Sequence, residues 1–114
     1  MSVNLNTRLV GDVTVIDVSG RLTLGEGSGA MGKEVHNLIE GGRTRLLLNL
    51  AGVSYIDSSG IGELVAGLRS AAKAGGVLKL MGLTKGAKEL LRVTKLSSIF
   101  EVHEDEAFAI QSFT

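Results

Sequence analysis

A chain of 114 residues with 44% hydrophobic content suits one compact domain and argues against disorder. Twelve Lys and Arg balance twelve Asp and Glu, so no electrostatic case exists for DNA, RNA or an anionic membrane as the main partner. The absence of cysteine excludes disulfides, thiol catalysis and thiolate metal sites, and His36 and His103 lie far apart without a ligand pattern around either, so no metal site is expected.

The first residues, Met1 to Asn6, carry neither a basic region nor a signal-length apolar stretch, and no later apolar run is long enough to span a bilayer. The expectation is a cytoplasmic domain. Proline is absent, so the 16 glycines must supply turns and helix stops. Two strand-like runs, Asn4 to Val10 and Val13 to Val18, flank Gly11-Asp12, a good hairpin signal. Val13, Val15, Ile16 and Val18 place apolar groups on both sides of the second run, as an interior strand requires. A short third strand is expected from Arg21 to Leu24.

The period then changes. Met31, Val35, Leu38 and Ile39 form one helical face in a helix starting at Ser28 or Gly29, and Gly41-Gly42 stops it. Leu46 to Leu50 reads as a central strand. Ile61, Leu64, Val65, Leu68 and Ala72 mark a second helix, beginning near Ser58 or Ser59 and ending at Gly75-Gly76. Val77 to Met81 is the next strand, and Ala87, Leu90, Leu91 and Thr94 mark a third helix. Ile99 to Val102 is expected as a last strand, and Asp105 to Phe113 as a final helix with acidic residues at its start. The order predicts an α/β fold: a mixed, mostly parallel sheet packed with about four helices, the crossovers right-handed.

Gly25 to Glu34 nearly satisfies two phosphate-binding patterns. Gly27, Gly29 and Gly32 fit G-x-G-x-x-G, while Gly27, Gly32 and Lys33 fit most of a P-loop. Both readings fail on chemistry. Glu34 stands where a P-loop needs a magnesium-ligating hydroxyl, and Asn49-Leu50-Ala51 lacks the acid that would hold a ribose. The segment reads as a flexible turn, with a role in partner contact left open. The nucleotide alternative predicts magnesium-dependent binding abolished by Lys33→Ala.

Tyr55-Ile56-Asp57-Ser58-Ser59-Gly60-Ile61-Gly62 joins a buried strand to a helix. Asp57 or Ser58 can cap that helix, and a plain cap is the bland reading of all these residues. Gly60 and Gly62 are poor helix formers, and keeping bulk away from the serines is one reason to find them there. Ser58 as a catalytic nucleophile lacks both a neighbouring base and a Gly-x-Ser-x-Gly context, so no enzyme activity and no catalytic residue is expected.

The segment closely resembles the signature of STAS domains in anti-sigma-factor antagonists. The likeness extends to Val18-Ser19-Gly20-Arg21-Leu22, to Gly75 to Leu80, and to Leu90 to Leu96 with Ile99-Phe100. It implies one STAS domain over residues 1–114, without a cofactor, with Ser58 as the phosphorylation site. Asp57, Ser59, Gly60 and Glu63 would then belong to the switch and partner surface, with Gly67 and Ser70 further along the same helix. The implied partners are an anti-sigma factor with serine kinase activity and a serine phosphatase, the chain acting as a monomer without nucleic acid or membrane. A glycine-dense 24–32 loop departs from the more polar sequence of many relatives. A STAS subunit regulating a phosphatase, cyclase or transporter is the alternative.

Overall fold

The computed structural model describes residues 3–25 and 27–114, leaving Met1, Ser2 and Glu26 of the terminal and glycine-rich stretches outside it. β1 (Val3–Val10) and β2 (Val13–Leu22) form the antiparallel hairpin, with Val10 opposite Val13 and Gly11 at φ 64°. Gly20, at φ 101°, bends β2 without ending it, and the register with the next strand shifts there. The expected Arg21 to Leu24 strand is therefore the end of β2, and Thr23 and Leu24 already belong to the loop. A left-handed glycine lets the chain kink while keeping its ladder, which a sequence reading takes for a break.

β3 (Arg45–Ile56) runs well past the expected Leu46 to Leu50. It pairs β4 (Val77–Met81) only as far as Asn49 opposite Met81, but pairs β2 in parallel until Leu22 meets Ile56. The sheet order is β1-β2-β3-β4-β5, with β1 alone antiparallel. The last strand, β5 (Val102–His103), is only two residues long. Ser97–Ile99 is a 3₁₀ turn and Phe100 is buried, so of the expected Ile99 to Val102 strand only Val102 is paired with β4.

Helices α1 (Ser28–Glu40), α2 (Ser58–Lys73) and α3 (Lys85–Val93) cover one face of the sheet. There Ile16, Val18, Leu46, Leu48, Leu50, Leu78 and Leu80 meet Met31, Val35, Ile61, Leu64 and Leu91. Gly42 and Gly75 close α1 and α2 in left-handed conformations, at φ 87° and 82°. The following amides reach back, Arg43 N to Leu38 O at 2.8 Å and Gly76 N to Ala71 O at 2.7 Å, which satisfies carbonyls the helices cannot. Among the described residues, no helix is long and apolar enough to cross a membrane.

The other face is covered by α4 (Glu106–Gln111), which sets Ala109 and Phe113 against Val13, Val15, Leu47 and Met81. Cations hold both ends of this segment. Arg8 grips Glu106 Oε1 at 2.6 Å and Oε2 at 3.0 Å, and also Asp17 Oδ2 at 2.7 Å. The Arg8 bond, with help from Asn49, holds the Asp17 carboxyl down at about 2. Buried Lys79 donates from Nζ to Ser112 O and Oγ, both at 2.9 Å, and lies 4.6 Å from the Phe113 ring centroid. Lys79→Met keeps the aliphatic stem but leaves the Ser112 carbonyl without its donor. It is expected to lower the unfolding free energy by about 1–3 kcal/mol in urea titrations, with the amides around Ser112 exchanging fastest.

Candidate functional site

The parallel run of β2 and β3 brings two loop starts side by side. Asp57 N donates to Leu22 O at 3.2 Å, so the turn into α2 is tied to the exit of β2. Asp57 is the N-cap of α2, with an extended backbone at φ −111° and ψ −173°. Its Oδ1 accepts from Ser59 N at 2.9 Å, Gly60 N at 3.1 Å and Ser59 Oγ at 2.6 Å. Its Oδ2 accepts from Leu24 N, in the β2–α1 loop, at 3.1 Å. The Ser59 hydroxyl first, and then the Leu24 amide, hold the Asp57 carboxyl down at about 2. At neutral pH the carboxylate is ionised and pinned at a helix N-terminus, where an anion is favoured.

The two serines are therefore unequal. Ser59 is half-buried and gives its proton to Asp57, whereas Ser58 is exposed and its hydroxyl has no hydrogen-bond partner among the described residues. No bond joins Asp57 to the Ser58 hydroxyl, so Asp57 shapes the turn and leaves that hydroxyl unbonded.

Gly60 is required by packing. A Cβ there would lie 2.6 Å from Leu22 O and 2.7 Å from Ile56 Cγ1, whereas one at Gly62 would meet nothing within 4 Å. Clearance for the serines is not the reason for Gly60; the first turn of α2 sits directly on the end of β2. Glu63 is half-buried and leans on α1, since a Cβ on Gly32 would come within 2.1 Å of its Oε1. Gly67 is buried too, between Leu78 and Val35, while Ser70 is exposed. The outward face of α2 is thus smaller than its polar sequence implies.

The glycine-rich loop has its own packing reasons. A Cβ on Gly27 would lie 2.1 Å from Arg21 O, and Gly25 is left-handed at φ 79°. Thr7 Oγ1 donates to Glu34 Oε2 at 2.9 Å, and the Glu63 carboxylate sits against Gly32, where it would repel a phosphate. Sequence reasoning missed Ser28. Its Oγ lies 3.1 Å from Ser59 Oγ and 3.2 Å from Thr23 O, contacts that depend on how α1 returns to the sheet.

Two outcomes test this geometry. Gly60→Ala is expected to cost about 1–3 kcal/mol of stability through overpacking. Gly62→Ala is expected to gain up to about 1 kcal/mol through helix propensity, both read by denaturant unfolding. A lowered carboxyl pKa means the cap is fully formed above the unfolded value, roughly pH 4, and is lost as pH falls through about 2. The amide NMR shifts of Leu24, Ser59 and Gly60 should titrate together with that low midpoint; a midpoint near about 4 would mean the carboxylate is not held.

The comparisons agree with this architecture. An anti-sigma factor antagonist from Mycobacterium paratuberculosis is 18% identical, with TM-score 0.87, covering 98% of this chain and 94% of its own. An anti-sigma-factor antagonist (STAS) domain protein from Planctomyces limnophilus is 24% identical, with TM-score 0.84 and coverage of 96% and 97%. The phosphorylated form of the Bacillus cell fate determinant SpoIIAA is 19% identical, with TM-score 0.77 and coverage of 97% and 100%. At these identities the likeness is one of fold. The family model described as "Mlab, STAS domain" matches residues 5–101, nearly the whole length, and the chain belongs to the STAS domain family.

Proposed function

We propose that this chain is an anti-sigma-factor antagonist in a partner-switching pathway, acting as a monomeric cytoplasmic domain, with Ser58 as its phosphorylation site. Unphosphorylated, it binds an anti-sigma factor that is also a serine kinase; phosphorylation of Ser58 releases it, and a serine phosphatase resets it. The observation that carries this reading is the exposed, unbonded Ser58 hydroxyl beside a Ser59 hydroxyl already committed to Asp57. The likeness of fold to proteins described as anti-sigma factor antagonists supports it.

In this reading Ser58 is a phosphate acceptor, exposed and with its hydroxyl unbonded among the described residues. Asp57, Ser59 and Gly60 shape the turn that presents it, and Glu63 braces α2 against α1. Leu24, 80% exposed, and Tyr55, 53% exposed, stand on the same rim and offer apolar contact to a docking partner. A phosphate adds about −1.5 to −2 charges at pH 7, beside the Asp57 carboxylate already there. Burying that charge in an interface without cations costs several kcal/mol, more than the ~1.4 kcal/mol that changes affinity tenfold.

The test uses Ser58→Ala and Ser58→Asp chains as baits in lysate of the native organism. Ser58→Ala should retain a kinase partner that Ser58→Asp loses, both baits being folded. The saturation of Asp57 by cap bonds also fits a second reading, a docking subunit of a phosphatase, cyclase or transporter system in which Ser58 does not switch. Equal retention of the same partners by both baits would establish that reading and overturn the first.

A further inference from the structure

Transfer of a phosphoryl group needs an acceptor oxygen whose lone pair faces the donor and whose proton is free to leave. Asp57 is followed by two serine hydroxyls, and a third, from α1, makes them unequal. Ser28 is 4% exposed in the first turn of α1, opposite the α2 turn. Ser59 has one proton, and the ionised carboxylate 2.6 Å away takes it. The 3.1 Å contact between Ser59 Oγ and Ser28 Oγ then draws on Ser28, whose single hydroxyl hydrogen is shared between Ser59 Oγ and Thr23 O at 3.2 Å. Ser59 is therefore held from both sides, its proton on Asp57 and its lone pair toward Ser28. Ser58 has neither restraint.

We infer that Ser28 is a positioning residue that keeps Ser59 turned inward and so makes Ser58 the preferred phosphoacceptor. The inference rests on the phosphoswitch reading above and assigns the glycine-rich segment a part in it: Gly25 and Gly27 fold the loop so that Ser28 reaches the α2 turn. In the reaction, the kinase's nucleoside triphosphate gives its γ-phosphoryl group to Ser58 Oγ. The new P–O bond forms as the bond to the diphosphate breaks, and the hydroxyl proton leaves to a base of the kinase.

Removing the Ser28 hydroxyl orphans nothing. Thr23 O still accepts from Ser28 N at 3.3 Å, and Ser59 still donates to Asp57, so Ser28→Ala should fold like the parent. What changes is that Asp57 alone then holds the Ser59 hydroxyl, so the outward rotamer is sampled more often.

The experiment treats the full chain, Ser28→Ala and Ser28→Thr with ATP and the kinase retained by the Ser58→Ala bait. Fragmentation mass spectrometry of the 46–69 peptide then reads the two serines separately. The parent and Ser28→Thr, which keeps the hydroxyl, should carry phosphate on Ser58 with only a trace on Ser59. Ser28→Ala should raise the Ser59-to-Ser58 ratio about tenfold, the effect of roughly one hydrogen bond on two competing barriers. A merely structural role for Ser28 would slow both sites together and leave the ratio alone. Phosphate on Ser58 with an unchanged ratio in Ser28→Ala overturns the inference and keeps the phosphoswitch. Failure of the parent to take phosphate on either serine, or of the bait to retain a kinase, overturns the phosphoswitch reading and the inference with it.

Discussion

Asp57 accepts four hydrogen bonds, three from the adjacent Ser59 and Gly60 and one from Leu24, 33 residues before it, and the arrangement of the site follows from that one carboxylate. Its position depends on β2 and β3 staying paired in parallel to their last residues, Leu22 against Ile56. If that pairing stopped at Asp17 and Asn49, the Leu24 amide would have no carboxylate to meet. The extra length of β3 therefore builds the candidate site. It carries the chain beyond β4 and delivers the cap, the exposed serine and the start of α2 to the rim where the β2–α1 loop also begins.

That dependence explains what could be read from residue order and what could not. Hydrophobic periodicity located the first three helices, because each carries an apolar stripe at helical spacing that packs on the sheet, and the acidic residues at its start marked the fourth. The strands were harder. Gly20 looked like a break because sequence reading treats glycine as punctuation, whereas here its left-handed conformation absorbs a register shift. Leu50, Val53 and Ile56 are buried at every third position, neither a strand's alternation nor a helix's stripe, so the second half of β3 left no clear signal. Ile99 to Val102 had a strand's composition but lies where only two residues can pair with β4.

The site divides along the same line. Asp57, Ser58 and Ser59 are adjacent, and their capping chemistry is local, so residue types alone exposed it. The requirement for Gly60 comes from the Leu22 carbonyl and the Ile56 side chain, and the bracing of Glu63 comes from Gly32 on another helix. Ser28 sits in a stretch that imitates a phosphate-binding loop, and only the folded chain brings its hydroxyl to Ser59. Contacts between segments distant in sequence leave no periodic trace in either one.

The charge balance at the α2 N-terminus bears on why the proposed phosphorylation of Ser58 would need no second fold. The helix end offers the equivalent of about half a positive charge, and the Asp57 carboxylate already takes up the amides of Ser59 and Gly60. A phosphate of about −1.5 to −2 on Ser58 would find those donors occupied, so little of its charge would be neutralised from within. Ser58 is exposed, and water would solvate the dianion at small cost to the isolated domain. The unneutralised charge would then fall on whatever surface tries to cover Ser58. Under the proposed switch, a cap that saturates itself would make the turn insensitive to phosphate and the covering surface sensitive to it, which would separate stability from binding at a single residue.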